Sequence, residues 1–102
     1  MILVTCAAGK TGKAIVDALV KTGQDVRAMV RSDRSLERVR AAGVAEAITG
    51  DLAFAEDVLR AADGVDAVYY IAPNMDPNER LNGDNIIAAC QSANVTRLVF
   101  HS

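Results

Sequence analysis

The sequence predicts an α/β fold in which a five-stranded parallel sheet carries helices on both faces. Apolar runs of strand length alternate with helical periodicity along the whole chain. The fourth run, Val65 to Ile71, is apolar on both faces, as is typical of a strand inside a helix-covered sheet. At 102 residues the chain is long enough for one domain with a modest core. Right-handed crossovers then predict a doubly wound sheet with strand order 3-2-1-4-5.

Each strand is predicted from an apolar run and each helix from apolar residues at helical spacing. The predicted strands are Ile2 to Thr5, Val26 to Val30, Ala45 to Thr49, Val65 to Ile71 and Arg97 to Phe100. The first three helices are predicted from Ile15, Val16, Leu19 and Val20 with an end at Gly23, from Leu36 to Ala42 with an end at Gly43, and from Leu52, Ala55, Val58, Leu59 and Ala62 with an end at Gly64. The fourth covers Leu81 to Ala93, and Asp76 and Pro77 are predicted to begin it as its N-cap and first residue.

Composition limits the classes of partner. The net charge of −2 gives no sign of a polyanionic partner, so we expect no nucleic-acid binding. No apolar run reaches the length of a membrane span and no basic leader precedes the first strand, so we expect a cytoplasmic protein without a membrane partner. Cys6 and Cys90 lie far apart without metal-ligand spacing, which is typical of reduced thiols and predicts no metal site.

A short glycine turn follows the first predicted strand. Gly9 would let a ligand approach the backbone closely, and Gly12 would let the next helix pack tightly on the strand. The unpaired N–H groups of that helix's first turn carry a partial positive charge suited to a pyrophosphate. The sequence therefore predicts a phosphate-binding turn over Gly9, Lys10, Thr11 and Gly12, although a tight turn without a ligand would have the same pattern.

Cys6 stands where a Gly-x-x-Gly-x-x-Gly pattern would begin, so two of the three glycines are present. We expect it to be a small residue at the buried end of the first strand. Alternatively, its side chain crowds the space that a glycine would leave for the pyrophosphate and so weakens the site. Nothing in the sequence indicates the exposure or lowered pKa of a redox-active thiol.

The end of the second strand predicts which nicotinamide dinucleotide is preferred. An NAD site places Asp or Glu about 20 residues beyond the glycine turn to hold the ribose 2′-hydroxyl, whereas an NADP site has Arg near the 2′-phosphate. This chain has Arg31 there, followed by Arg34, and Asp33 is the only acid nearby. The pattern predicts NADP (NADPH) in preference to NAD; the alternative is a pair of solvated surface arginines.

Four segments together resemble the N-terminal part of the NmrA-like branch of the atypical short-chain dehydrogenase/reductases. They are Leu3-Val4-Thr5 leading into Ala7-Ala8-Gly9-Lys10-Thr11-Gly12, Val26-Arg27-Ala28-Met29-Val30-Arg31, Gly50-Asp51-Leu52, and Arg97-Leu98-Val99-Phe100-His101-Ser102. The resemblance covers all 102 residues, and the family's chains continue beyond this length. We therefore expect residues 1–102 to form a truncated NAD(P)-binding Rossmann-like domain that lacks the C-terminal part of the fold.

The resemblance also implies positions for the rest of the dinucleotide. Residues matching Asp51 and Leu52 lie beside the adenine in the family, and the turn matching Ala72, Pro73 and Asn74 lies near the nicotinamide ribose. A helix cap at Asp51 and a plain proline loop are the alternatives. Gly9-Lys10-Thr11 also resembles the end of a P-loop, but the first P-loop glycine would fall at Val4, inside the strand, and the loop would be too short to wrap a triphosphate.

Catalytic residues are unknown from the sequence. The Tyr and Lys four residues apart of standard short-chain reductases are missing, because Tyr69 has Pro73 at that offset and Tyr70 has Asn74. The two tyrosines are predicted to lie on opposite faces of the fourth strand. His101 and Ser102 follow the fifth strand, where such sheets place their chemistry, but a lone His-Ser pair is weak evidence for nucleophilic catalysis.

The sequence leaves two functions open. The resemblance implies a parent protein that reduces a small electrophile such as a quinone with NADPH, and the alternative is a non-catalytic NADP(H) sensor that engages a protein partner. We expect this chain alone to be catalytically inactive. We also expect self-association, because Leu98, Val99 and Phe100 would form an apolar, unprotected edge strand beside an uncovered face of the sheet.

Overall fold

The computed structural model describes residues 1–101, in which strands and helices alternate. The strands are β1 Ile2–Val4, β2 Val26–Val30, β3 Glu46–Thr49, β4 Ala67–Ile71 and β5 Arg97–His101. The helices are α1 Lys10–Lys21, α2 Asp33–Arg40, α3 Ala55–Ala62 and α4 Glu79–Ser92. All strand pairs are parallel and the order is β3-β2-β1-β4-β5, which confirms the predicted fold class and topology.

Beyond the end of β1, hydrogen bonds join the chain to both neighbouring strands, β4 and β2. The buried Thr5 hydroxyl donates a hydrogen bond to the carbonyl of Ile71 at 2.9 Å and accepts one from the N–H of Ile71 at 2.8 Å. The N–H of Ala7 donates to the carbonyl of Met29 on β2 at 3.2 Å. These bonds fix the turn after β1 between the carboxyl ends of β2 and β4.

Side chains alternate between two hydrophobic cores, one on each face of the sheet. Leu3 and Val68 belong to the core under α3 and α4, whereas Val4 and Ala28 belong to the core under α1 and α2. Tyr70 packs into the first core and the half-buried Tyr69 packs against the second. The prediction that the tyrosines lie on opposite faces is therefore confirmed.

The start of the fourth helix was predicted wrongly. The helix begins at Glu79 with Asn78 as its N-cap, so Asp76 and Pro77 precede it. The Asp76 carboxylate accepts hydrogen bonds from the N–H of Asn78 at 2.8 Å and from the side-chain amide of Asn82 at 3.2 Å. Asp76 thus closes a local turn with the residue two positions ahead, and this turn competes with helix capping for the same side chain.

Smaller differences concern element ends. Helix α3 begins at Ala55, so Leu52 lies in the preceding turn, and β4 begins at Ala67, after Val65.

Among residues 1–101, the helices are too short or too polar to cross a membrane. Strand β5 lies at the edge of the sheet, where Val99 and Phe100 are half exposed.

Candidate functional site

The first turn of α1 presents free backbone donors. Its N-cap is Gly9, which has no side chain that could accept hydrogen bonds from these donors. Lys13 is the first residue of the helix whose N–H donates to a preceding carbonyl, that of Gly9, at 2.8 Å. Within residues 1–101, no hydrogen bond uses the N–H groups of Lys10, Thr11 or Gly12. Three donors and the positive end of the helix dipole therefore face the carboxyl edge of the sheet, an arrangement that binds phosphate.

Glycine occupies the two positions of this turn, Gly9 and Gly12, for different structural reasons. A Cβ on Gly12 would lie 2.1 Å from the carbonyl oxygen of Cys6 and 2.8 Å from the Cα of Ala7, so only glycine lets α1 approach the turn. A Cβ on Gly9 would meet only the Cys6 oxygen, at an ordinary 3.5 Å. Packing therefore requires glycine at Gly12, whereas the side of Gly9 that a Cβ would occupy is nearly open.

Cys6 lies in the turn beyond β1 rather than within the strand. Its φ of +48° is in the left-handed region that glycine adopts most easily, which explains why this position is a glycine in the full motif. Burial raises the pKa of the half-buried thiol to about 11, an effect that Arg31 partly opposes and Asp76 reinforces. The thiol is thus protonated at neutral pH, which argues against a reactive thiolate.

Arg31 and Asp51 meet at the carboxyl ends of β2 and β3. An Arg31 guanidinium nitrogen lies 3.4 Å from a carboxylate oxygen of Asp51, whose other oxygen accepts the N–H of Ala53 at 2.9 Å. Both residues line a narrow cavity of about 20 Å³ together with Cys6, Met29, Val30, Gly50, Leu52, Pro73 and Asp76. Asp51 is not the cap of α3, whose N-cap residue is Phe54.

A second cavity lies on the other side of the turn after β4. It has a volume of about 350 Å³ and is lined by Thr11, Ile71, Ala72, Pro73, Asn74, Met75, Glu79 and His101. A third cavity of about 370 Å³ connects Arg31 and Asp51 to residues 73–78. The glycine turn, the Arg31–Asp51 pair and the turn after β4 therefore surround one continuous stretch of the carboxyl edge.

Arg34 is placed differently from the other candidates. It is exposed on α2 and lines none of the three cavities above. Lys10 is also exposed and lines none of these cavities, so its contribution to this edge is the free backbone N–H described above. A further cavity of about 480 Å³ between α1 and α2 is lined by the cations Lys13 and Arg38 beside Ala7 and Ala8. This cavity was not predicted from the sequence, because helix packing angles do not follow from periodicity.

The tyrosines and the histidine occupy distinct environments. The Tyr69 hydroxyl and His101 Nδ1 are 3.1 Å apart, beside the cavity that His101 lines. Strand pairing places Tyr69 opposite Val99 and Ile71 opposite His101, so this contact could have been found from the register. The Tyr70 hydroxyl is buried without a partner in the described part of the chain, and burial raises its pKa. Ser102 lies outside the described residues.

Comparison with known proteins gives three findings. The profile of a family described as NAD(P)H-binding matches residues 6–102. A 2-alkyl-3-oxoalkanoate reductase of Stenotrophomonas maltophilia is 37% identical over 99% of this chain and 32% of its own length. A ketoreductase of Stigmatella aurantiaca that acts on 4-hydroxy-2-methyl-3-oxo-4-farnesyl-3,4-dihydroquinoline-1-oxide is 30% identical over 94% of this chain and 31% of its own length.

Solved structures share the same arrangement of strands and helices. Triphenylmethane reductase of Citrobacter sp., crystallised with NADP(H), superposes with a TM-score of 0.87 at 25% identity over 100% of this chain and 37% of its own. An NADPH-dependent quinone oxidoreductase of Escherichia coli, crystallised with NADPH, has a TM-score of 0.87 at 24% identity over 98% of this chain and 36% of its own, a likeness of fold alone. The chain spans about a third of the length of the curated relatives it matches.

Proposed function

The chain belongs to the NAD(P)H-binding family, and from that premise we propose that residues 1–102 hold NADPH in preference to NADH along the carboxyl edge of the sheet. The residues present fit such a ligand. The free N–H groups of Lys10, Thr11 and Gly12 provide donors for the pyrophosphate, and the open side of Gly9 leaves room for it.

The remaining candidates would hold the two ends of the dinucleotide. The cavity lined by Asp51 and Leu52 would take the adenosine, and the cavity beside Ala72, Pro73 and Asn74 would take the nicotinamide ribose. The nicotinamide supplies the hydride when it is bound, while these residues bind and orient it. Because the cavity at Asp51 measures only about 20 Å³, an adenine there would have to lie at its mouth, beside the exposed Arg31 side chain.

The observation that carries the NADPH preference is the charge at the end of β2. Arg31 lies there with a largely exposed guanidinium, and the next acid, Asp33, already belongs to α2. A charged hydrogen bond to a 2′-phosphate favours NADPH, whereas the Asp51 carboxylate, which could accept hydrogen bonds from the ribose hydroxyls of NADH, is already paired with Arg31. Arg34 would contribute at longer range, through its charge.

Calorimetric titration with NADPH and NADH at equal ionic strength tests this function. We expect NADPH to bind at least about tenfold more tightly, as one well-formed charged hydrogen bond provides. Equal affinity for the two dinucleotides would contradict the assignment of NADPH, and undetectable binding of both would contradict the proposed site.

For the parent protein we propose NADPH-dependent reduction of a small electrophile, a carbonyl compound or a quinone, as the names of the relatives suggest. A non-catalytic sensor of NADP(H) is the alternative. This chain is about a third as long as those reductases, and we expect it to bind the dinucleotide without turnover. NADPH oxidation by the parent protein in the presence of quinone acceptors distinguishes a reductase from a non-catalytic sensor. In the same assay, turnover by this chain alone would place the chemistry within residues 1–102.

Replacing Cys6 with glycine is expected to tighten dinucleotide binding. The change removes a side chain from the cavity beside Arg31, and glycine adopts the left-handed backbone of this position without strain, so the turn can keep its shape. The expected gain in affinity outweighs the flexibility that glycine adds to the turn. Titration of Cys6→Gly with NADPH measures it, and unchanged or weaker binding would show that the turn has adapted to the thiol.

We further propose that the chain associates with itself through β5. This strand lies at the edge of the sheet, with Val99 and Phe100 about half exposed, so a second copy can pair with its free backbone groups. Light scattering should show the apparent mass rising with concentration, and Val99→Lys should lower it toward the monomer. A monodisperse wild-type monomer at all concentrations would exclude this association.

A further inference from the structure

A chain of polar contacts runs from helix α3 to Arg31. The Asp57 carboxylate, in the first turn of α3, accepts a hydrogen bond from the backbone N–H of Asp51 at 2.9 Å. Its other oxygen lies 3.2 Å from the guanidinium of Arg60. Asp51 in turn lies 3.4 Å from Arg31 through its side chain. Asp57 therefore holds the backbone of the residue whose side chain pairs with Arg31.

The turn that carries Asp51 is also restricted sterically. A Cβ on Gly50 would come within 2.7 Å of the Met29 side chain and 3.3 Å of the Asp57 Cβ, so Asp57 packs directly against this glycine. The N–H of Ala53 binds the Asp51 carboxylate from the other side. The Asp51 carboxylate is thus fixed by its own backbone and by the turn, while the Arg31 side chain is 66% exposed, so its pair with Asp51 is the contact that restricts it.

From these contacts we propose that Asp57 is a positioning residue for dinucleotide selectivity, which fixes Asp51 so that Asp51 holds the Arg31 guanidinium ready for a 2′-phosphate. The inference rests on the proposed function, because it concerns the same arginine. An arginine that is already held loses less conformational entropy when the phosphate binds. Asp57 itself touches neither the phosphate nor the cavities described above.

The test compares Asp57→Ala with two matched variants. Asp57→Ala removes the acceptor of the Asp51 N–H, and we expect NADPH affinity to fall about three- to tenfold, the effect of immobilising one long side chain, while NADH affinity changes less than twofold. Asp57→Asn keeps an acceptor oxygen and should restore most of the preference. Arg60→Ala removes only the exposed ion pair of Asp57 and should bind both dinucleotides as the wild type does.

A second readout needs no dinucleotide. The Asp51 amide should exchange slowly with solvent in the wild type and in Asp57→Asn, and this measurement remains available if Asp57→Ala does not fold. An unprotected Asp51 amide in the wild type would overturn the proposal, and so would equal losses of NADPH and NADH affinity in Asp57→Ala. Wild-type affinity that is equal for NADPH and NADH would instead overturn the proposed function, and the selectivity role with it. A preference preserved in Asp57→Ala would overturn this inference alone.

Discussion

Replacing Arg31 with aspartate is expected to abolish the preference for NADPH. A charge-assisted hydrogen bond to a phosphate contributes about 1.5 to 3 kcal/mol, so the affinity for NADPH should fall about 10- to 150-fold. Repulsion between the new carboxylate and the 2′-phosphate adds to this loss, and the carboxylate of Asp51 increases it further because the two lie together. NADH has no 2′-phosphate and should lose little affinity, since an aspartate at this position can accept hydrogen bonds from the ribose hydroxyls.

The matched control is Arg97→Asp, which changes the net charge by the same amount at the opposite, amino edge of the sheet. It should leave both affinities within about twofold of the wild type, because exposed charges more than about 10 Å apart are largely screened at 0.1 M salt. Calorimetric titration of the wild type and both variants with NADPH and NADH gives the comparison. If the Arg31→Asp variant still prefers NADPH, Arg31 does not bind the 2′-phosphate.

Among the single substitutions proposed for this protein, Gly12→Ala should produce the largest loss of stability. The added Cβ would lie 2.1 Å from a backbone oxygen of Cys6 and 2.8 Å from the Cα of Ala7, and neither atom can rotate away as a flexible side chain can. Overpacking typically costs about 1 to 3 kcal/mol, and a clash with backbone belongs at or above the upper end. We expect the melting temperature to fall by about 12 °C or more, since each kcal/mol shifts a domain of this size by about 4 to 8 °C.

Gly83→Ala is the matched control for this substitution. Gly83 lies in α4 with nothing within 4 Å of an added Cβ, so alanine should stabilise the helix by about 0.5 to 1 kcal/mol. Thermal unfolding followed by circular dichroism compares the two variants. A Gly12→Ala protein as stable as the wild type would show that α1 can move away from the turn, and that the close approach is not essential to the fold.

Local sequence signals were sufficient for the architecture. Helical spacing, strand-length apolar runs and right-handed crossovers predicted all nine elements found in residues 1–101 and their strand order, and the resemblance to the NmrA-like reductases is confirmed by the family match and the shared fold. Asp76 was misassigned because its side chain can either cap a helix or close its own turn, and the sequence Asp-Pro is compatible with both.

The contacts within the site were less predictable, for a physical reason. The Gly12 approach follows from a short motif, but the ion pair between Arg31 and Asp51 depends on which rotamers meet across two strand ends. Asp57 was absent from the predicted site because its hydrogen bond reaches back six residues to a backbone N–H, which has no sequence signature. Arg34 was included for its charge alone, and its side chain lies outside the cavities along the edge.

The most direct test of the proposed binding site is an NMR titration of the ¹⁵N-labelled chain with NADPH, in which each backbone amide reports its own environment. We expect the largest shifts at the amides of the glycine turn, at Arg31, at Asp51 and Leu52, and at the turn after β4. The amides of the opposite edge, around Gln24, Asp66 and Asn94, should not move. Shifts concentrated at that opposite edge, or no shift at Gly9 and its neighbours at saturation, would contradict the proposed binding site.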